Sequence, residues 1–156
     1  MDSRFIQAKM MMKILNKLGI AEIIPFDYKR FWNNQYKKHG FDIMYCGNKG
    51  YDADENLRKR NMKKLILLEV FKKFSINKTI SVLDIGCGVG IFTDFFQKNE
   101  FKNYKGIDLN KDVIINLKRK YPNYNFEQSD ICKNTITGKF DLILMISVTQ
   151  HIIRDR

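Results

Sequence analysis

An α/β fold, with a parallel sheet and crossover helices, is the class this sequence predicts, and three observations predict it. Short segments that read as strands, over 82–85, 104–108, 124–127 and 140–146, the first and last of them apolar runs, alternate with segments whose apolar residues recur every three or four positions. A glycine turn, Gly86-Cys87-Gly88-Val89-Gly90, joins the first run directly to a helical pattern. At 156 residues with 44% hydrophobic content, the chain suits one buried core and is too apolar for wholesale disorder.

Taken in order, residues 3–19 place Phe5, Ile6, Met11, Ile14, Leu15 and Leu18 at helical spacing and read as an amphipathic helix stopping near Gly19. Residues 25–51 are irregular, with Phe26, Tyr28, Phe31, Trp32 and Tyr36 crowded around a short helix, and read as a flap or an edge. A clearer helix starts at Asp52 or Asp54 as N-cap, with Glu55 in its first turn. Its expected buried side is Leu57, Leu65, Leu68, Phe71 and Phe74, with Ile66 and Val70 as neighbours, and Lys72 and Lys73 sit where a cation suits the dipole. The first strand, the glycine turn and a helix carrying Ile91, Phe92, Phe95 and Phe96 follow. A second strand over 104–108 leads to Asn110, a good N-cap for a helix with Val113, Ile114 and Leu117 that must end before Pro122. A third strand over 124–127 and a fourth over 140–146, apolar except for Asp141, complete the pattern. The chain thus divides into an N-terminal helical and aromatic cap segment, 1–51, and a domain built on the glycine turn, 52–156.

The 28 Lys and Arg against 17 Asp and Glu give a formal charge of +11, and the excess sits in the N-terminal half: +9 over residues 1–80 against +2 over 81–156. Such a field could steer RNA, an acidic lipid surface or a phosphorylated metabolite, although a solvated surface is the simpler reading. Cys46, Cys87 and Cys132 are odd in number and contain no CxxC pair, so neither a disulfide framework nor a zinc site is indicated. No apolar run approaches the length of a membrane span, and residues 1–20 lack a signal-peptide core. These features predict a soluble, cytoplasmic protein.

Spacing separates the ligands that a glycine turn after a first strand can bind. The dinucleotide pattern is G-x-G-x-x-G. Here the glycines are Gly86, Gly88 and Gly90, and position 91 is Ile. Asp84 lies two positions before the first glycine, where a carboxylate repels a pyrophosphate but attracts an ammonium group. No Gly-Lys-Ser/Thr follows, which excludes the P-loop.

Residues 82–90, VLDIGCGVG, resemble motif I of the class I S-adenosylmethionine-dependent methyltransferases, acidic-x-Gly-x-Gly-x-Gly. Asp108, 22 residues after Gly86, matches the acidic residue that in this family holds the ribose hydroxyls, and a carboxylate has the two acceptor oxygens such a diol requires. Asp130 and Ile131 match the family's residues at the adenine. Residues 147–152, SVTQHI, resemble the S-V-x-Q-H-I stretch found after the fourth strand in many members. The resemblance implies a Rossmann-like sheet of strand order 3-2-1-4, with S-adenosylmethionine held by Asp84, Gly86, Cys87, Gly88, Gly90, Asp108, Leu109, Asp130, Ile131 and Ile146. His151 is the candidate to accept a substrate proton, with loop orientation as its alternative role. Cys87 reads as a small filler, and Trp32, Tyr36 and Tyr45 as packing aromatics that could also cover the cofactor.

Only four strands are visible, fewer than the family's usual sheet contains, and the apolar fourth would be left on an edge. The expectation is a shortened chain, or one that completes its sheet with another copy or partner. Three readings follow: methyl transfer to an acceptor, most simply a small molecule; a cofactor-binding or partner-dependent fragment without activity of its own; and an RNA methyltransferase.

Overall fold

In the computed structural model the described residues are Lys17 and 27–152. The helix expected over 3–19 lies outside them, Lys17 excepted. Five helices are named α1, Tyr28–His39; α2, Ala53–Lys73; α3, Ile91–Lys98; α4, Lys111–Lys120; and α5, Thr149–Ile152. The strands are β1, Ser81–Ile85; β2, Asn103–Asp108; β3, Asn125–Gln128; and β4, Leu142–Leu144.

All strand pairs are parallel and the order is β3-β2-β1-β4, as the resemblance implied. Strand β1 lies between β2 and β4, which explains why Val82, Leu83 and Ile85 are all buried: both faces and both edges are covered. The period of two sends Val82 and Asp84 to one face of the sheet and Leu83 and Ile85 to the other. The two faces are covered very differently. On the first, Val82, Tyr104, Phe126 and Leu144 pack with Phe92, Phe95 and Phe96 of α3, with Val113, Ile114 and Leu117 of α4, and with Phe71 of α2. On the second, Leu83, Ile85 and Ile107 form a smaller cluster, against which, among the described residues, the partly buried Ile131, Ile136 and Phe140 of the β3–β4 connection pack.

Capping sets the helix boundaries. Asp52 accepts from the Glu55 amide at 2.8 Å and starts α2, while Asn110 accepts from the amides of Asp112 and Val113 and starts α4. The described part of segment 25–51, from Asp27 on, is more regular than its sequence suggests: it forms the 12-residue α1, capped by Asp27, and a 3-10 turn, Ile43–Tyr45. The apolar side expected for α2 requires correction. Phe71 is buried and Leu67 and Leu68 pack on the core, but Leu57, Leu65, Ile66, Val70 and Phe74 are exposed. Apolar residues occupy more than one face of this helix, and a helix can dock only one face on the sheet. β4 is also shorter than expected. The Asp141 carboxylate accepts from the Ser81 amide and hydroxyl at 2.8 and 2.7 Å, so a side-chain latch stands where the ladder would have begun.

Candidate functional site

The parallel sheet turns the C-terminal ends of β1, β2 and β3 toward one cavity of about 700 Å³, within the range of roughly 300–1,000 Å³ usual for small-molecule sites. Its floor is the glycine turn. Gly86 has φ +70°, and a Cβ there would run into Cγ2 of Val148. The amides of Gly86 and Cys87 both donate to the Ile107 carbonyl, at 2.8 and 3.0 Å, which folds the turn back over β2. Gly90, by contrast, does not line the cavity. It caps α3 in a left-handed conformation, and a Cβ would lie 2.6 Å from Leu117 Cδ2, so this position serves helix packing.

Asp108, the last residue of β2, is held from three sides. Its Oδ2 accepts from the Gly88 amide at 3.0 Å; its Oδ1 accepts from the Asn110 amide at 2.9 Å and from Tyr45 Oη at 3.4 Å. Burial raises its pKa, and these donors oppose that shift. Tyr45, only 2% exposed, keeps its phenol proton because burial and the Asp108 charge both raise its pKa.

Asp84 lies within β1 rather than beyond its end. Its Oδ2 accepts from Tyr104 Oη at 2.7 Å, and Tyr104 is joined in turn to Thr93 Oγ1 at 2.8 Å. Burial pushes the Asp84 carboxyl up to about 7, with the Asp108 charge adding to the rise and Tyr104 and Arg60 opposing it. The carboxylate expected to attract an ammonium is therefore divided between protonated and charged forms near neutrality.

Asp130 is two residues past β3. Tyr28 Oη reaches its oxygens at 3.0 and 3.2 Å, Lys29 Nζ at 3.0 Å and the Cys132 amide at 3.1 Å. Burial acts to raise its pKa, but the hydrogen bonds from Lys29 and Tyr28 outweigh it and hold the carboxyl below its ordinary value. No local pattern links Tyr28 to a residue 102 positions away, and the sequence reading missed this contact.

Leu109, Ile131 and Ile146 line the same cavity, as do Asp84, Gly86, Cys87, Gly88, Asp108 and Asp130. Cys87 is buried, with its Sγ 3.0 Å from where a Cβ on Gly106 would stand, which accounts for small residues at both places. At the mouth, His151 stands edge-on to Trp32 at 5.0 Å and stacks on Phe31 at 6.3 Å, and Gln150 Nε2 lies 3.1 Å from its Nε2. Two cations that the sequence offered only as part of the basic excess of residues 1–80 also line the cavity. Arg60 donates to the Cys46 carbonyl at 2.5 Å, and Lys63 donates to Ser147 Oγ at 2.8 Å. Ser147 has φ +62°, a strained conformation for a residue with a side chain, and it carries the chain from β4 into α5. Among the described residues, no group of three or more His, Cys, Asp or Glu could hold a metal ion, and no helix is long and apolar enough to cross a membrane.

Comparison with known proteins follows the same architecture. A family model described as a methyltransferase domain matches residues 53–154. The mitochondrial ubiquinone biosynthesis O-methyltransferase of Saccharomyces cerevisiae is 35% identical over 147 residues, covering 90% of this chain and 46% of that protein. Malonyl-[acyl-carrier protein] O-methyltransferase 2 of Ilyobacter polytropus is 32% identical over 111 residues, 68% of this chain and 41% of that one. Among solved structures, the plantazolicin methyltransferase BpumL, in complex with a monoazolic desmethylPZN analog and SAH, shares the fold with a TM-score of 0.56 at 20% identity, covering 86% of this chain and 49% of that chain. The chain spans less than half the length of these curated relatives.

Proposed function

Because this chain belongs to the methyltransferase-domain family, we propose that it binds S-adenosylmethionine in the cavity above β1, β2 and β3 and transfers the methyl group to a small-molecule acceptor at the aromatic mouth. The observation that carries the reading is the Asp108 carboxylate, presented to the cavity beside a glycine turn against which the Val148 and Cys46 side chains pack. The donor set suits this cofactor. Gly88, Asn110 and Tyr45 take three of the roughly four lone-pair sites of Asp108, which leaves one on Oδ2 for a ribose hydroxyl, and the second hydroxyl would replace Tyr45, whose contact at 3.4 Å is the longest of the three. Ile131 and Leu109 offer apolar cover for a base, and Asp130 an acceptor for an exocyclic amine. Asp84 and Arg60 both line this cavity, and we assign Asp84 to the amino group of the methionine moiety and Arg60 to its carboxylate.

When bound, the cofactor supplies a methyl group on a sulfonium, whose sulfur keeps the C–S bond pair and leaves as a neutral thioether. The chain's own task is to fix the acceptor in line and exclude water, because no covalent protein nucleophile is required. Trp32, Phe31 and Tyr45 wall the cavity on the α1 side. His151, held against Trp32, is the group placed to take the proton that an acceptor hydroxyl or amine gives up.

A second reading, a chain that binds the cofactor but acts only with a partner, is favoured by the β4 edge, where Ile143 is 58% and Met145 37% exposed. Calorimetric titration with S-adenosylmethionine tests the first part of the proposal. Binding that Asp108→Ala abolishes supports it, and absence of binding, or binding indifferent to that change, refutes it. Turnover of an extract by the chain alone then separates the first reading from the second.

A further inference from the structure

The cavity is electrically divided, and the division bears on the acceptor. Its acidic side chains, Asp84, Asp108 and Asp130, stand at the strand ends. Its basic ones, Lys49, Lys59, Arg60 and Lys63, stand across from them on the loop before α2 and on the first turns of α2. The cofactor reading uses few of these cations. Arg60 lies close enough to Asp84 to lower its pKa and is tied to the Cys46 carbonyl, which places it at the turn. Lys63 is engaged with Ser147.

Lys49 and Lys59 remain, and both stand over aromatic rings. Lys49 Nζ is 4.6 Å from the Phe31 ring centroid, and Lys59 Nζ is 3.7 Å from that of Tyr51. Lys59 also reaches Glu55, at 4.0 Å, the outer limit of an ion pair, and its side chain stays 47% exposed. Among the described residues Lys49 makes no ion pair. Phe31 in turn meets Trp32 edge-on at 5.1 Å and stacks on His151. The mouth thus combines flat apolar surfaces, two ammonium groups and an imidazole within one cavity. A ring compound bearing a negative group satisfies all of these: its ring lies on the aromatics, its charge meets the exposed ammonium groups at the mouth, and its hydroxyl or amine faces His151.

We propose that the methyl acceptor is a small aromatic anion, whose carboxylate or phosphate is held by Lys49 and Lys59. This rests on the methyl-transfer reading above, and the experiment separates the two. The chain, saturated with S-adenosylhomocysteine, is titrated calorimetrically with 4-hydroxybenzoate, with 4-hydroxyphenyl phosphate and with the neutral 4-hydroxybenzyl alcohol. The titrations are repeated without S-adenosylhomocysteine, so that a failure of cofactor binding shows separately. The expected result is at least tenfold tighter binding of one anion than of the alcohol. Its affinity should fall with added salt, drop at least tenfold in the Lys49→Gln/Lys59→Gln double variant, and persist in Lys49→Arg/Lys59→Arg. Whichever anion binds tighter identifies the charged group. Binding of the alcohol as tight as that of both anions, no binding of any probe, or anion affinity unchanged in the glutamine variant would each overturn the proposal. Should the glutamine variant also lose S-adenosylhomocysteine, the arginine variant and the alcohol comparison decide.

Discussion

Replacing Asp84 by Asn should stabilise the protein above neutral pH while weakening its cofactor site. The Asp84 carboxyl is raised from the ordinary 3.8 to about 7, chiefly by burial within β1. In the unfolded chain it titrates at its ordinary value, so between about pH 4 and 7 the folded state binds more protons than the unfolded one. Stability therefore falls as pH rises through that window. A rise of about three units at 1.36 kcal/mol each makes the cost of the ionised group about 4 kcal/mol at pH 8, and less than half of that at pH 5. Asn keeps the shape and an oxygen to accept from Tyr104, which donates at 2.7 Å, but has no charge to bury. The advantage of Asp84→Asn over the parent should thus grow by about 2–3 kcal/mol between pH 5 and pH 8. Urea denaturation of both proteins at pH 5, 6, 7 and 8 reads this difference directly. An advantage that stays constant with pH, or shrinks as pH rises, would refute the reasoning. A retained charge so costly to bury is understandable if it serves a ligand, and S-adenosylmethionine affinity at pH 8 should fall in the same variant.

Three further outcomes follow from the geometry. Gly86→Ala places a Cβ against Val148 in a backbone with φ +70°, so it should cost at least about 2 kcal/mol in denaturation and weaken cofactor binding as the turn shifts. Phe71→Ala removes the ring through which α2 meets Phe95, Phe96 and Phe101, and should cost roughly 3–5 kcal/mol, read as a lowered urea midpoint. Tyr28→Phe frees Asp130 from a hydroxyl that occupies both its oxygens, and should tighten S-adenosylmethionine binding severalfold in calorimetry; weaker binding would mean that the Tyr28 contact helps to form the site.

The parts legible in the sequence are those whose causes are local. The run from Val82 to Ile85, the glycines after it and the apolar spacing of Phe92, Phe95 and Phe96 each constrain only their neighbours, and β1, the turn and α3 lie where they point. Asp52 and Asn110 gave helix starts for the same reason. The lining of the candidate cavity was legible where a residue ends a strand, as Asp108 does, because the parallel sheet brings strand ends together. What could not be read depends on distant partners. Helix α1 has no aliphatic residue, and its aromatics find partners far along the chain, as Trp32 and Tyr36 do at Tyr45 and Phe31 and Trp32 do at His151. The apolar residues of α2 carry no mark of which face docks. The hold of Tyr28 and Lys29 on Asp130, and of Lys63 on Ser147, arises from folding that joins opposite ends of the chain. The glycine pattern misled at one point, since Gly90 belongs to the packing of α3 on Leu117 and Tyr121 rather than to the cavity.

The central claim is that the carboxylate ending β2 holds the ribose of S-adenosylmethionine beside the glycine turn. A crystal structure of the chain grown with S-adenosylhomocysteine tests it most directly. The account predicts ribose hydroxyls within hydrogen-bond distance of the Asp108 carboxylate and the base against Ile131, with the Tyr28 hydroxyl displaced from Asp130. A ligand bound elsewhere, or one in this cavity whose ribose does not contact Asp108, would contradict it.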